Sequence, residues 1–228
     1  MKIKKERKNI RFDIITIFPD IFDSYLNESL IRRAQKNKLI DVRVHDLRDF
    51  SLDKRKRVDD RPFGGGPGMA IKIEPIQRAV SSIKYQVSRK KVKLKTRTIL
   101  FSIRGKKFDS KVAQRLVKYD RLILICGRYE GVDERVADYV ADEEISMGDY
   151  VLSGGELPAL ILTEAVSRFL PGFLGKFESL EEIKGSYPVY TQPSVFTPSK
   201  SKKKWEVPKI LLSGDHKKIE EWRKGRHF

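Results

Sequence analysis

The chain has 228 residues, 39% of them hydrophobic, and carries 48 Lys and Arg against 31 Asp and Glu, a formal net charge of +17 at pH 7. That length holds one good core, or one domain with a small appendage, and a mean hydropathy of −0.47 excludes a membrane-dominated chain. The cationic excess favours polyanionic partners, nucleic acid before an anionic membrane, over charge kept for solubility alone.

The single cysteine, Cys126, ends an apolar run and reads as a buried small hydrophobe. It allows no disulfide within the chain, which is compatible with a reducing compartment. The basic start, Met1 to Arg11, leads into no signal-type apolar stretch, and no apolar run reaches transmembrane length. The expectation is a soluble cytoplasmic protein with no membrane partner.

Phe12 to Phe18 is a β-rich run that Pro19 stops, and a helix-compatible segment continues from there through Lys36. Leu39 to Val44 reads as a second strand. Asp49 to Gly68 is polar, with too little apolar character to be core. Within it, Asp59 to Met69 holds four glycines and two prolines, a backbone that can bend sharply without side-chain clashes. The triplet Asp59, Asp60 and Arg61 either holds a polar substrate edge or is a solvated charge cluster on a flexible loop.

Glu74 to Ser88 is helix-like, Arg97 to Ser102 is a strand, Phe108 to Lys118 has helical spacing, and Leu122 to Cys126 returns to strand. Such alternation predicts an α/β layered domain with a mainly parallel sheet. The last of these strands runs into a glycine turn, Cys126 to Arg135, and α/β proteins place ligand crevices where a strand ends in such a turn. Tyr129 and Glu130 either close over a ligand there or serve simple turn chemistry.

Asp149 to Pro158 is the most informative stretch. Gly154 and Gly155 follow an apolar-aromatic strip and open into an apolar helix-like run, Ala159 to Leu170. Glycines there let a backbone pass close to a flat ligand or to another chain segment. Together the two glycine segments indicate a small-molecule pocket made largely of backbone. Arg168, near the end of the helix, either offsets negative charge developing on a substrate oxygen or is an ordinary C-terminal cation facing the helix dipole.

After Leu170 the texture changes: Pro171, Gly172, Gly175, Gly185 and Pro188 punctuate a loop-rich stretch with an acidic centre at Glu178 to Glu182. Trp205 to Leu212 reads as a short extended segment, and Asp215 to Lys224 as a helix with Asp215 as its N-cap. Phosphate-loop, dinucleotide-binding and serine-hydrolase motifs are absent. The three histidines, His45, His216 and His227, make no zinc constellation with one cysteine.

Asp59–Met69, Cys126–Val136 and Ser146–Ala159, in that order, resemble the bacterial tRNA (guanine-N1)-methyltransferases of the TrmD type, in the SPOUT superfamily. Ile17–Pro19, Arg48–Phe50, Val166–Phe169 and Leu211–Gly214 support the likeness, which covers nearly the whole chain. It implies an α/β, SPOUT-type layered sheet with a deep trefoil knot, an exception to the usual absence of knots, plus a short, mostly helical C-terminal region. The implied division is a methyltransferase domain over 1–172, a linker and catalytic loop over 173–192, and a tRNA-contacting region over 193–228. The resemblance further implies a homodimer with active sites at the subunit interface, methylating N1 of the guanine just 3′ of the anticodon (position 37).

Carried onto this sequence, the S-adenosyl-L-methionine site comprises Ser102, Gly127, Tyr129, Glu130, Gly131, Ser146, Met147, Gly148, Asp149, Tyr150, Val151, Leu152, Gly154, Gly155 and Pro158. Asp59, Asp60 and Arg61 fall on the substrate side, with Arg168 offsetting charge on guanine O6. The resemblance allows Mg2+ in the step and assigns no protein metal site. Guanine N1 must lose a proton, and a carboxylate serves as base.

Three departures stand out. The family's base is an aspartate in an Asp-Ser-Phe-type motif; here the preceding linker is shortened, and Glu178-Ser179-Leu180 falls on that motif, with Glu181 and Glu182 as weaker candidates. Ile103 replaces the usual proline after Ser102, and the sequence stops at Phe228 where many relatives continue. Loss of the aspartate leaves a catalytically impaired SPOUT-type RNA-binding protein as the rival reading, and a methyltransferase with another RNA target as a third.

Overall fold

The computed structural model describes residues 9–88, 94–175, 185–199 and 203–225. They fall into two compact units, Met1–Phe173 and Leu174–Phe228. The first unit contains strands β1 (Ile10–Thr16) and β2 (Ile40–Asp46), a two-residue ribbon of β3 (Asp59–Asp60) and β4 (Ala70–Ile71), then β5 (Thr96–Lys107), β6 (Arg121–Ile125) and β7 (Glu143–Ser146). All but the ribbon form one parallel sheet in the order β2-β1-β6-β5-β7. The central strand β6 is buried throughout and its neighbour β1 is buried at all but Arg11, the pattern of a parallel sheet covered on two faces.

The helices are α1 (Asp23–Leu26), α2 (Ser29–Lys36), α3 (Ile73–Ser88), α4 (Ser110–Leu116), α5 (Arg135–Tyr139) and α6 (Glu156–Arg168). Ile15 and Ile17 join Ile123 and Ile125 in a core with Ile76, Ala79, Val80 and Ile83 of α3 and Val136 of α5. Residues of the other parity point the opposite way. There Thr16 meets Glu156 of α6, which packs on β1 and α4.

The structure departs from the expected elements in several places. The helix expected from Pro19 through Lys36 is three pieces, a 3-10 turn (Pro19–Phe22), α1 and α2, with Ser29 at a φ of 50° marking the last break. The polar stretch from Asp49 contributes Val58 to the core. β5 runs past Ser102 to Lys107: both Phe101 and Lys106 pair with Ile145, so residues 102–105 leave the ladder as a loop.

In the second unit, β8 (Val195–Phe196) and β9 (Trp205–Glu206) pair antiparallel, with the Phe196 and Trp205 rings 5.7 Å apart. A 3-10 turn (Lys209–Leu212) precedes α7 (His216–Lys224). Asp215 caps α7, its Oδ1 accepting from the Lys218 amide at 3.1 Å. Expected to be mostly helical, the described residues of this unit instead combine the ribbon, irregular chain from 185 to 194 and one nine-residue helix.

Asp13, in the middle of β1, is 0% exposed. Its Oδ1 accepts from Arg11 Nη2 at 2.7 Å and lies 2.8 Å from His45 Nε2, while Oδ2 lies 3.4 Å from Arg121 Nε. Burial pushes the carboxyl pKa up, but the hydrogen bonds from His45 and Arg11 and the charges of Arg11 and Arg121 outweigh it, leaving the pKa below the usual 3.8. A depressed folded-state pKa adds stability above the unfolded value and loses it as pH falls through the folded one. Asp13→Asn therefore costs about 3–5 kcal/mol at pH 7 by urea unfolding, since Arg121 is left buried without its counter-charge. The gap to wild type closes as pH drops below 3.8; a gap that persists unchanged there would contradict the ionised-cluster account.

Candidate active site

At the C-terminal edge of the sheet lies a cavity of about 460 Å³, where open α/β sheets hold ligands. Its walls are the β5 loop, the turn after β6, and the chain from the end of β7 into α6. Ser102 lies in the first wall; Gly127, Tyr129, Glu130 and Gly131 in the second; Ser146, Met147, Tyr150, Val151, Leu152, Gly154, Gly155 and Pro158 in the third. Gly148 and Asp149 are not in the lining, and Asp149 Oδ2 accepts from Lys107 Nζ at 2.9 Å instead. Ile103, standing where the resemblance expects proline, is exposed and lines the same wall as Ser102.

The walls meet through backbone. The Gly155 amide donates to the Gly127 carbonyl at 3.0 Å, and a Cβ on Gly155 would sit 2.6 Å from Cys126 Cα. Of the two uses the sequence allows for this glycine, passage of another chain segment is the one observed. Tyr129 follows at a φ of 60°, an uncommon conformation for a bulky residue, with its side chain half-exposed at the cavity. Cys126 is fully buried beside this crossing; burial, and then the negative charge of Glu156, push its thiol pKa well up. It is therefore a packing residue and no nucleophile.

The glycine-rich arm is rooted at the second wall. Glu130 and Ile71 amides donate to the Met69 and Gly131 carbonyls, each at 3.0 Å, and Ile71 bridges Val132. Asp59 and Asp60 pair with Ile71 and Ala70, so the ribbon carries them close to the rim without entering the cavity lining. Asp60 Oδ1 accepts from the Arg61 amide at 2.8 Å, and Arg61 is exposed.

Arg168 is not brought to the cavity within one chain. It ends the 13-residue α6, whose first turn touches the cavity through Pro158. A helix rise of 1.5 Å per residue puts it roughly 18 Å along the axis from Glu156. Glu178, Glu181 and Glu182 lie outside the described residues.

Sequence reasoning missed two ion pairs around the cavity. Arg104 Nη2 donates to both oxygens of Glu134, at 2.6 and 2.8 Å, joining the first wall to the second. Arg128 Nε donates to Glu156 Oε2 at 2.8 Å, joining the second wall to the start of α6. An arginine in a glycine turn and an acid in a first helical turn both read as solvent-facing, so neither carried a signal.

Residues 10–228 match the family described as tRNA (Guanine-1)-methyltransferase TrmD. The chain is 44% identical over 219 residues to a tRNA (guanine-N(1)-)-methyltransferase of Ruminiclostridium cellulolyticum, covering 94% of this chain and 89% of that protein. A protein of the same name in Clostridioides difficile is 44% identical over 222 residues, covering 94% and 91% respectively. Among solved structures, the tRNA (m1G37) methyltransferase of Aquifex aeolicus superposes with a TM-score of 0.77 at 40% identity, covering 94% of this chain and 87% of that one.

Proposed function

The chain belongs to the tRNA (guanine-1)-methyltransferase TrmD family, and on that premise we propose that it methylates N1 of guanine 37 in tRNA, using S-adenosylmethionine bound in the cavity behind Tyr129. The observation that carries the site assignment is the cavity itself. Its volume of about 460 Å³ lies in the range of roughly 300–1,000 Å³ typical of small-molecule sites. Leu100, Val132, Ile145, Leu152 and Pro158 give it the apolar walls that a flat base needs, and the turns at 127–131 and 146–155 offer backbone groups. The cofactor, when bound, supplies an electrophilic sulfonium methyl group. The trefoil knot belongs to this proposal and is supported by the Gly127–Gly155 crossing.

The residues of this chain do the rest. Glu178 takes the N1 proton as general base, and Arg168 offsets the charge that then grows on O6. Asp59, Asp60 and Arg61 receive the guanine, which leaves its stack to reach the site. Holding both partners in line supplies much of the remaining acceleration.

A homodimer accounts for the distance between Arg168 and the cavity: the cation completes the site of a second subunit. In support, Leu157 and Ile161 are exposed one turn apart on α6, whose Glu164 accepts from Tyr25 Oη at 2.8 Å, and Ile21 and Tyr25 are exposed nearby. The unit beyond Phe173 takes the role of tRNA contact, supported by a groove lined by Tyr187, Tyr190, His216 and Arg223, with Lys217 and Lys218 exposed beside it. Phosphate contacts of this kind weaken steeply with salt. No helix among the described residues is long and apolar enough to cross a membrane, and work on tRNA fits the cytoplasm. The described residues contain no group of three His, Cys, Asp or Glu that could hold a metal, and Mg2+, which is usually held by one or two carboxylates with water and substrate oxygens, is proposed with no residue assigned to it.

Methyl transfer from labelled S-adenosylmethionine is expected with a transcript bearing guanine immediately 3′ of the anticodon and not with its adenine counterpart. Binding of both ligands without transfer would favour the impaired RNA-binding protein. Glu178→Gln is expected to lower kcat by about 10²–10⁴-fold with cofactor affinity kept, and unchanged turnover would remove Glu178 from the mechanism. Mixing inactive Arg168→Ala subunits with inactive Leu152→Arg subunits should restore about a quarter of wild-type turnover, because half the dimers then hold one intact shared site. No recovery after verified subunit exchange would refute the shared site.

A further inference from the structure

Behind the proposed cofactor cavity lies a buried charge that the reaction itself does not call for. Glu156, the first residue of α6, is 1% exposed. Its Oε2 accepts from Arg128 Nε at 2.8 Å and its Oε1 accepts from Thr16 Oγ1 at 2.7 Å. Thr16 Oγ1 in turn accepts from the Phe18 amide at 2.9 Å, and the Arg128 guanidinium lies 4.9 Å from the Phe18 ring centroid. Three elements far apart in sequence are joined: the end of β1, the turn after β6 and the start of α6.

Gly154 shows how tightly this pair is built in. A Cβ there would stand 2.5 Å from Arg128 Cδ and 2.6 Å from Glu156 Oε2. The missing side chain makes room for the ion pair directly behind the cavity wall. A carboxylate this buried persists only when paired and hydrogen-bonded, and replacing such a pair by apolar residues of similar volume is often neutral or stabilising. What apolar packing lacks is direction. Arg128 sits between Gly127 and Tyr129, so a directional bond to Glu156 sets the position of the very turn that walls the cavity.

We propose that Arg128 and Glu156 are a positioning pair: with Thr16 behind them, they hold the 127–131 turn against the 152–155 wall at the spacing cofactor binding requires. Glu156 acts through Arg128 and does not line the cavity. The inference rests on reading that cavity as the S-adenosylmethionine site.

The test compares Glu156→Gln, Arg128→Gln and the double variant in thermal unfolding, in calorimetric binding of S-adenosylmethionine and in steady-state turnover. Either single variant should raise both Kd and KM for the cofactor by about tenfold or more, the scale of one lost charge-assisted hydrogen bond. KM for tRNA, and kcat at saturating cofactor, should stay within about twofold. The double variant leaves no lone buried charge and should regain thermal stability while its cofactor affinity stays weak. Thr16→Ser, which keeps the hydroxyl, should bind like wild type, and Thr16→Val should weaken binding in the same direction as Glu156→Gln. Variants that melt early yet keep wild-type cofactor KM, or a double variant that regains affinity together with stability, would make the pair merely structural and overturn the proposal. A wild-type protein that binds tRNA but no S-adenosylmethionine would overturn both the pair and the cavity assignment, whereas equal binding by wild type and variants would overturn the pair alone.

Discussion

Everything at the site hangs on one backbone contact, the hydrogen bond from the Gly155 amide to the Gly127 carbonyl. It forces the chain leaving β6 and the chain entering α6 to pass within van der Waals distance. From that contact the cavity gains two of its three walls, and α6 gains its starting point and its heading. The heading then places Arg168 at the far end of the helix, away from the cavity its own chain forms. A contact between two amide units thus lies behind both the shape of the cavity and the separation of Arg168 from it. The crossing admits no Cβ on Gly155, while Gly154 beside it leaves room for Arg128 and Glu156, which is why two glycines in tandem stand out in the sequence.

The legible parts of the fold are those where one residue type has one physical use. β6 reads as a buried strand because Leu122 to Ile125 offers no polar side to turn toward water. The glycine turns read as sites of close approach for the same reason, although a sequence does not say whether a ligand or another strand approaches. β7 escaped because it begins with two glutamates; Glu143 is half-buried only because Arg97 and Arg115 reach it from β5 and α4. Asp13 and Glu156 escaped because a charged residue reads as surface unless its partner is known. Those partners lie 32 residues away for His45 and 140 residues away for Thr16. The candidate base, Glu178, was placed by resemblance alone and lies outside the described residues.

The two charge systems of this protein differ in kind. The excess that gives +17 acts at a distance on polyanions, through screening that salt controls. The pairs at Asp13 and Glu156 are largely shielded from solvent, much less screened by salt, and act through direction and spacing. The first kind falls off with salt; the second ties Asp13 to its neighbours in the sheet and the turn after β6 to the start of α6.

The loop at 102–105 carries a different consequence. Because Phe101 and Lys106 both pair with Ile145, β5 leaves its neighbour and rejoins it at the same rung. The excursion therefore leaves the ladder at Ser102 to Arg104, but its last residue does not: a Cβ on Gly105 would sit 2.5 Å from the Ile145 amide nitrogen of β7. Ile103 lies in the free part: it is exposed on a cavity wall while the ladder on either side is intact. A detour of this kind leaves Ile103 exposed and able to vary without touching a rung, a freedom that Gly105 beside β7 and Gly155 on the opposite wall both lack.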